Sequence, residues 1–250
     1  MIRREFLTKS VGLATTMLTT TPALAHRPGG FKAIAFDAFP VFDPRSVAAR
    51  CEVLFPGRGS ALVNMWRLRQ FEYTWLRNVM NNYADFAHVT DDALIFAAKT
   101  LKLELTAEKR EQLLNAYFEL TTWPDAIPAL TKFKDMGLRL ALLSNFTPKM
   151  LNSCIKHSGL DGMFDLVLST DLARCYKPDA RAYRLGVDAL KLPRHEILFV
   201  PFAGWDAAGA KLFGYPTFWV NRLGLLPEEL GSFPDSTGKN LNDLLAFVGT

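Results

Sequence analysis

Phe31-Lys32-Ala33-Ile34-Ala35-Phe36-Asp37 is the stretch on which the fold turns. It is short, almost wholly apolar, and ends on a carboxylate. Such a run suits a central parallel strand buried on both faces, rather than a half-exposed strand of alternating polarity. Comparable runs follow at residues 138–143, 166–168, 197–200 and 217–220, ending at Ser144-Asn145, Ser169, Pro201 and Asn221. Helical stretches at 127–135, 148–158, 180–189 and 205–213 separate them. The alternation predicts an α/β protein with a Rossmann-like parallel sheet and helices on both faces. Ligands bind such sheets outside the carboxyl ends of the strands, which singles out Asp37, Ser144, Asn145 and residues 201–206.

One stretch breaks the alternation. Residues 47–121 show helical periodicity and no strand pattern, with helices expected at 61–80, 90–99 and 106–120. Thr90, followed by two Asp, and Thr106, with Glu108 behind it, read as helix starts. The predicted organisation is therefore a core of residues 31–46 and 122–250, with a helical cap, 47–121, inserted after the first strand. The first cap helix carries Trp66, Arg67, Arg69, Gln70, Tyr73, Trp75 and Arg77, too aromatic and too charged for a plain solvent face. It is a candidate wall of a site and a candidate homodimer face. Residues 231–239 read as loop, before a short apolar helix at 241–248.

The chain of 250 residues is about half apolar, a globular composition. Its N-terminus has Arg3-Arg4 before Glu5-Phe6-Leu7, a modest apolar run, and Ala23-Leu24-Ala25. Residues 1–25 thus read as an export signal of the twin-arginine type, which predicts a periplasmic protein. The run is too short and too broken by Thr to span a membrane comfortably. The whole chain carries +4, and residues 1–25 hold Arg3, Arg4 and Lys9 against Glu5, so +2 remains beyond them. With no Lys/Arg run, nucleic acid is not an expected partner. Cys51, Cys154 and Cys175 are odd in number and widely spaced, which gives neither a disulfide framework nor a zinc pattern.

Each chemical candidate has a plainer alternative. Asp37 could cap a helix or turn, or be a nucleophile or metal ligand. Lys177, in Tyr176-Lys177-Pro178-Asp179, is either a solvated loop lysine or the cation that keeps Asp37 ionised. Asp206 opens the helix after the fourth strand, where Asp is a favoured N-cap. Ser144-Asn145 offers a hydroxyl and an amide for an anion, or simply a turn.

Taken together, these signals are specific. Asp after strand one, Ser-Asn after strand two, Lys-Pro after strand three and Asp after strand four, with a helical insertion after the first strand, resembles the haloacid dehalogenase superfamily. Its phosphatase branch carries a second Asp two residues after the first; here that position is Phe39, which argues against magnesium-dependent phosphoryl transfer. The chain is instead similar to the type II L-2-haloacid dehalogenases. The telling segments are FPGRG at 55–59, MWRLRQFEYTWLR at 65–77, LSN at 143–145, YKPD at 176–179 with Tyr183, WDAAGAK at 205–211 and FWVNR at 218–222. It departs from them at Asp37–Asp43, one residue short and without Gly-Thr, and at Pro201-Phe202-Ala203, where the family has Ser-Ser-Asn.

The resemblance implies that Asp37 attacks the halogen-bearing carbon of a short 2-haloalkanoic acid and forms an ester that water cleaves. It implies Arg67, Asn145 and the Trp205 ring as halide receivers and Ser144 as a carboxylate holder. Phe39 would flank the substrate, Lys177 would keep Asp37 ionised, Asp206 would orient Lys177, and Tyr183 would support that network. This chemistry calls for no metal and no cofactor. A phosphatase of the same superfamily and a catalytically impaired binding protein stay open at this point.

Overall fold

The computed structural model describes residues 30–249, and the export-signal reading of residues 1–25 lies outside them. The opening segment forms β1 (Ala33–Phe36), buried along its whole length. β2 (Arg139–Ser144), β3 (Leu166–Ser169) and β4 (Ile197–Val200) join it in a parallel sheet of order β3-β2-β1-β4. Phe36 is level with Leu142 on one side and Val200 on the other. Asp37, Ser144 and Pro201 therefore leave the sheet along one edge.

The two faces of the sheet pack against different helices. Ile34, Phe36, Leu140, Leu142, Leu198 and Val200 point to the larger core cluster, with residues of α6 (Ala126–Asp135), α7 (Pro148–His157) and α10 (Leu241–Val248). Ala33, Ala35 and Ala141 point the other way, among residues of α8 (Ala180–Leu190) and α9 (Gly204–Phe213). These three alanines leave room on this face, beside the bulkier Leu143, Ile197 and Phe199, for the two helices that bear Tyr183 and Asp206.

Between β1 and α6 the chain makes a single turn of helix, α1 (Ala38–Val41), and then α2 (Arg45–Leu54), α3 (Gly59–Val79), α4 (Phe86–Thr100) and α5 (Ala107–Asn115). Several expectations need correction here. Helix α2 was not foreseen, because only Val47 and Cys51 of it are buried and its apolar signal is thin. Asp85, not Thr90, caps α4, accepting from the His88 backbone N–H at 2.8 Å. Thr90 lies inside that helix. Its carbonyl accepts from Trp66 Nε1 and its hydroxyl accepts from Gln70 Nε2, both at 2.7 Å, which joins α4 to α3.

The fifth strand also differs from the expectation. β5 (Phe218–Val220) pairs with β6 (Ser236–Gly238) in a separate two-stranded sheet and stays beside β4 through an isolated bridge, Phe199 to Thr217, with the Phe199 N–H donating to Pro216 O at 2.8 Å and the Val220 N–H to Pro201 O at 3.1 Å. Pro201 has no N–H with which to extend the β4 ladder. Residues 231–239, expected as loop, thus contain a short strand.

The loop after β1 is clamped from two sides. Trp123 Nε1 donates to the Phe39 carbonyl at 2.9 Å, and Arg222 Nη2 donates to the Pro40 carbonyl at 2.7 Å. Arg222 also pairs with Asp125 at 2.9 Å, and Asp125 accepts from the Leu241 N–H at 2.7 Å. Removing one member of a buried ion pair leaves an uncompensated charge. Asp125→Ala is expected to lower stability by about 3 to 5 kcal/mol. Urea unfolding of the variant against the parent protein measures the loss.

Candidate active site

Asp37 comes straight off β1, and its backbone N–H donates to Val200 O at 3.0 Å, so it is held where the ladder ends. Its carboxylate is asymmetric. Oδ1 accepts from Lys177 Nζ at 2.9 Å and from Ser144 Oγ at 3.2 Å. Oδ2 accepts only from the Phe39 backbone N–H, at 3.4 Å. Asp37 is also the N-cap of α1, the plainer of its sequence readings.

Lys177 follows Tyr176 and precedes a cis bond to Pro178. It is 1% exposed, and its ammonium also meets Asp206 Oδ2, at 2.7 Å. Burial alone would lower the lysine; the charges of Asp206 and then Asp37 outweigh that and hold it above its ordinary value. For Asp206 the balance runs the other way. Burial pushes its carboxyl up to about 6, against the opposing pull of Lys177. Its second oxygen accepts from the Tyr183 hydroxyl at 2.7 Å, and burial raises that phenol well above the usual range. Tyr215 in turn donates to the Tyr183 carbonyl at 2.7 Å.

Asp206 is not the N-cap that its position promised. Ala203 occupies the cap without a side-chain bond, and Asp206 sits within the first turn, turned inward to Lys177. Asn145 Oδ1 accepts from the Lys177 N–H at 3.0 Å and from Thr170 Oγ1 at 3.2 Å. Its NH2 group is the part with donors to spare.

Asp37, Phe39, Ser144, Asn145, Lys177, Trp205 and Asp206 line one cavity of about 20 Å³. Room of that size suits about one water. Phe71, Phe146, Phe202 and Ala203 complete the wall. The Phe39 ring packs edge-on to Phe146 at 5.3 Å and against Phe202 at 5.7 Å. Trp205 stands edge-on to Phe71 at 5.3 Å, and its buried Nε1 has no hydrogen-bond partner among the described residues. Arg67 is not part of this wall. Its guanidinium lies over Phe39 at 5.1 Å and over Phe71 at 5.7 Å, one ring behind the cavity. Tyr183 reaches the site only through Asp206.

Sequence reasoning did not single out Phe71, Phe146 or Thr170. Phe71 had a signal, since it lies one helical turn after Arg67 on the same face of α3. Phe146 and Thr170 had none, because they act through packing and through Asn145. The three cysteines are free and buried; burial pushes Cys51 and Cys154 up to about 12 and Cys175 to about 11, which makes them unreactive thiols. Among the described residues no group of three or more His, Cys, Asp or Glu converges as for a metal ion.

A parallel sheet with a strand-end carboxylate paired to a buried lysine, under a helical insertion, defines a class, and the chain belongs to the haloacid dehalogenase-like hydrolases, whose family profile matches residues 17–214. It is similar to an (S)-2-haloacid dehalogenase of Pseudomonas sp. (strain YL), 46% identical over 205 residues, which covers 82% of this chain and 88% of that protein. Among solved structures it resembles the L-2-haloacid dehalogenase RSc1362, with a TM-score of 0.87 and 44% identity over 88% of this chain and 99% of that one. It also resembles the L-2-haloacid dehalogenase of Xanthobacter autotrophicus with chloropropionic acid covalently bound, with a TM-score of 0.80 and 36% identity over 88% and 98% of the two chains.

Replacing Lys177 tests the charge balance. Lys177→Met removes what holds Asp206 down, so its carboxyl rises further above its unfolded value. A carboxyl raised by folding contributes stability that is present below its unfolded value and lost as pH rises through the folded one. Urea unfolding at pH 4 and pH 7.5 should therefore show a deficit that is small in acid and grows, to about 3 to 5 kcal/mol, at the higher pH.

Proposed function

We propose that the protein hydrolyses (S)-2-haloalkanoic acids to 2-hydroxyacids, with Asp37 as the nucleophile. The observation that carries this is the Asp37 carboxylate, with Oδ1 held by Lys177 and Ser144 and Oδ2 left to a single 3.4 Å contact. Oδ2 attacks C2 of the substrate. The carbon–halogen bond breaks, and the halide leaves with its electron pair. Asn145, the Trp205 ring and Arg67 receive the halide, with Arg67 reached once the Phe39 ring turns aside. Ser144 and neighbouring backbone amides hold the substrate carboxylate. Water then attacks the carbonyl carbon of the aspartyl ester. The bond from that carbon to Oδ2 breaks, the 2-hydroxyacid departs with the former Asp37 Oδ2 and one proton of the water, the water oxygen re-forms the carboxylate, and the second proton passes to solvent. Displacement at carbon proceeds best with a carboxylate stripped of water, and five aromatic rings exclude water here. No step calls for a metal or cofactor. The covalent chloropropionate in the Xanthobacter relative supports the ester step.

Export to the periplasm belongs to this reading, supported by the twin arginines and Ala23-Leu24-Ala25. A homodimer through α3 is supported by its exposed Leu68, Leu76 and Val79.

Incubation with (S)-2-chloropropionate is expected to release chloride, with a mass adduct on Asp37 after acid quench. Asp37→Asn is expected to lower kcat on the order of 10⁶-fold, the scale on which a lost nucleophile is felt. Equal chloride release by the two proteins overturns the reading. Activity is also expected to fall as pH drops through about 6, where Asp206 takes up a proton and Lys177 loses an acceptor. Asp206→Asn cannot titrate, so that acid limb should be absent from its pH–kcat profile.

A further inference from the structure

Lys177 lies outside any strand or helix, between a short 3₁₀ turn and α8. Its position is therefore set by what holds its neighbours. The residue before it is held by the cap. Asn78, next to last in α3, accepts from the Tyr176 backbone N–H at 2.9 Å and donates from Nδ2 to the Tyr176 carbonyl at 2.7 Å. One amide side chain thus satisfies both main-chain groups of a residue 98 positions away. The Tyr176 hydroxyl donates to Ala84 O in the turn between α3 and α4, and the Tyr83 ring of that turn lies 5.3 Å from the Tyr176 ring. On the core side, the Lys177 N–H donates to Asn145. The lysine segment is thus bracketed between the cap corner and a cavity residue.

We infer that Asn78 is a positioning residue for Lys177, locking the lysine segment to the cap so that the ammonium meets Asp37 and Asp206 when the cap is docked. This rests on the reading of Asp37 and Lys177 as the working pair. Asn78 touches neither substrate nor Asp37 and acts through the backbone of Tyr176. With it gone, the segment keeps its core contacts and is tied to the cap through the Tyr176 side chain, so the main chain that carries Lys177 is less firmly placed. The groups facing the ammonium are Asp37 at the end of β1, Asp206 of α9 with the Tyr183 hydroxyl of α8 behind it, and the Phe199 ring of β4 at 5.1 Å. As Lys177 drifts from the two carboxylates, it loses its proton at lower pH.

The test compares Asn78→Ala, Asn78→Ser and Arg77→Ala. Arg77 pairs with Asp92 and with Asn82 O in the same cap corner and makes no bond to Tyr176, so its loss weakens the corner alone. Two readouts are taken on the full chain. One is the pH–kcat profile for (S)-2-chloropropionate. The other is the Lys177 ammonium resonance in protein labelled with ¹⁵N-lysine, assigned by its loss in Lys177→Arg. Asn78→Ala is expected to lower kcat by about 10-fold with KM within about 3-fold, the scale of two lost hydrogen bonds. The alkaline limb and the pH at which the resonance disappears should both move down. Asn78→Ser, which keeps a hydroxyl, should restore part of each shift, while Arg77→Ala lowers Tm and moves neither. An unmoved resonance in Asn78→Ala, or an equal shift in Arg77→Ala, overturns the inference. If the parent protein releases no chloride, the proposed function fails, and the resonance still decides the role of Asn78.

Discussion

A lysine ammonium buried between two carboxylates governs the architecture around it. Taking such charges out of water is expensive, and their attraction compensates only when every remaining lone pair and proton finds a partner. Here the partners come from five separate elements. β1 ends in Asp37, β2 ends in Ser144, α8 supplies Tyr183, α9 supplies Asp206, and the turn before α8 supplies Lys177. Gly209 shows how close the packing must be. A Cβ there would lie 2.6 Å from both Pro178 and the Tyr183 hydroxyl, so only glycine lets α9 press against the lysine segment. The alanines of β1 and β2 on the same face serve the same end.

The environment of this cluster is unusually apolar. Pro201, Phe202 and Ala203 follow β4, and the Phe202 ring faces Phe39. Fewer polar side chains mean a lower local dielectric and stronger coupling among the charges that stay.

Much of the site was legible because strand ends are local features. An apolar run that stops at Asp37, at Ser144-Asn145 or before Pro201 marks the edge of a parallel sheet whatever the rest of the chain does. Lys177 was legible through its Pro neighbour and its place after the third run. What stayed hidden depends on direction rather than position. Asp206 reads as a helix cap from its neighbours alone, yet the buried ammonium draws it inward and leaves Ala203 to start the helix. Thr90 reads as a helix start, yet Asp85 captures that role and Thr90 binds α3.

The sequence by itself determined the α/β class, the cap inserted after the first strand, and the residues that stand at the sheet edge, because periodicity and punctuation are written within a few consecutive residues. Only the tertiary structure decided that Arg67 stands behind Phe39, that β5 takes β6 as its ladder partner beside β4, and that Asn78 grips Tyr176 across 98 positions. Each of these is a contact between segments remote in the chain, set by how side chains of particular volume share one interior. No local pattern encodes that.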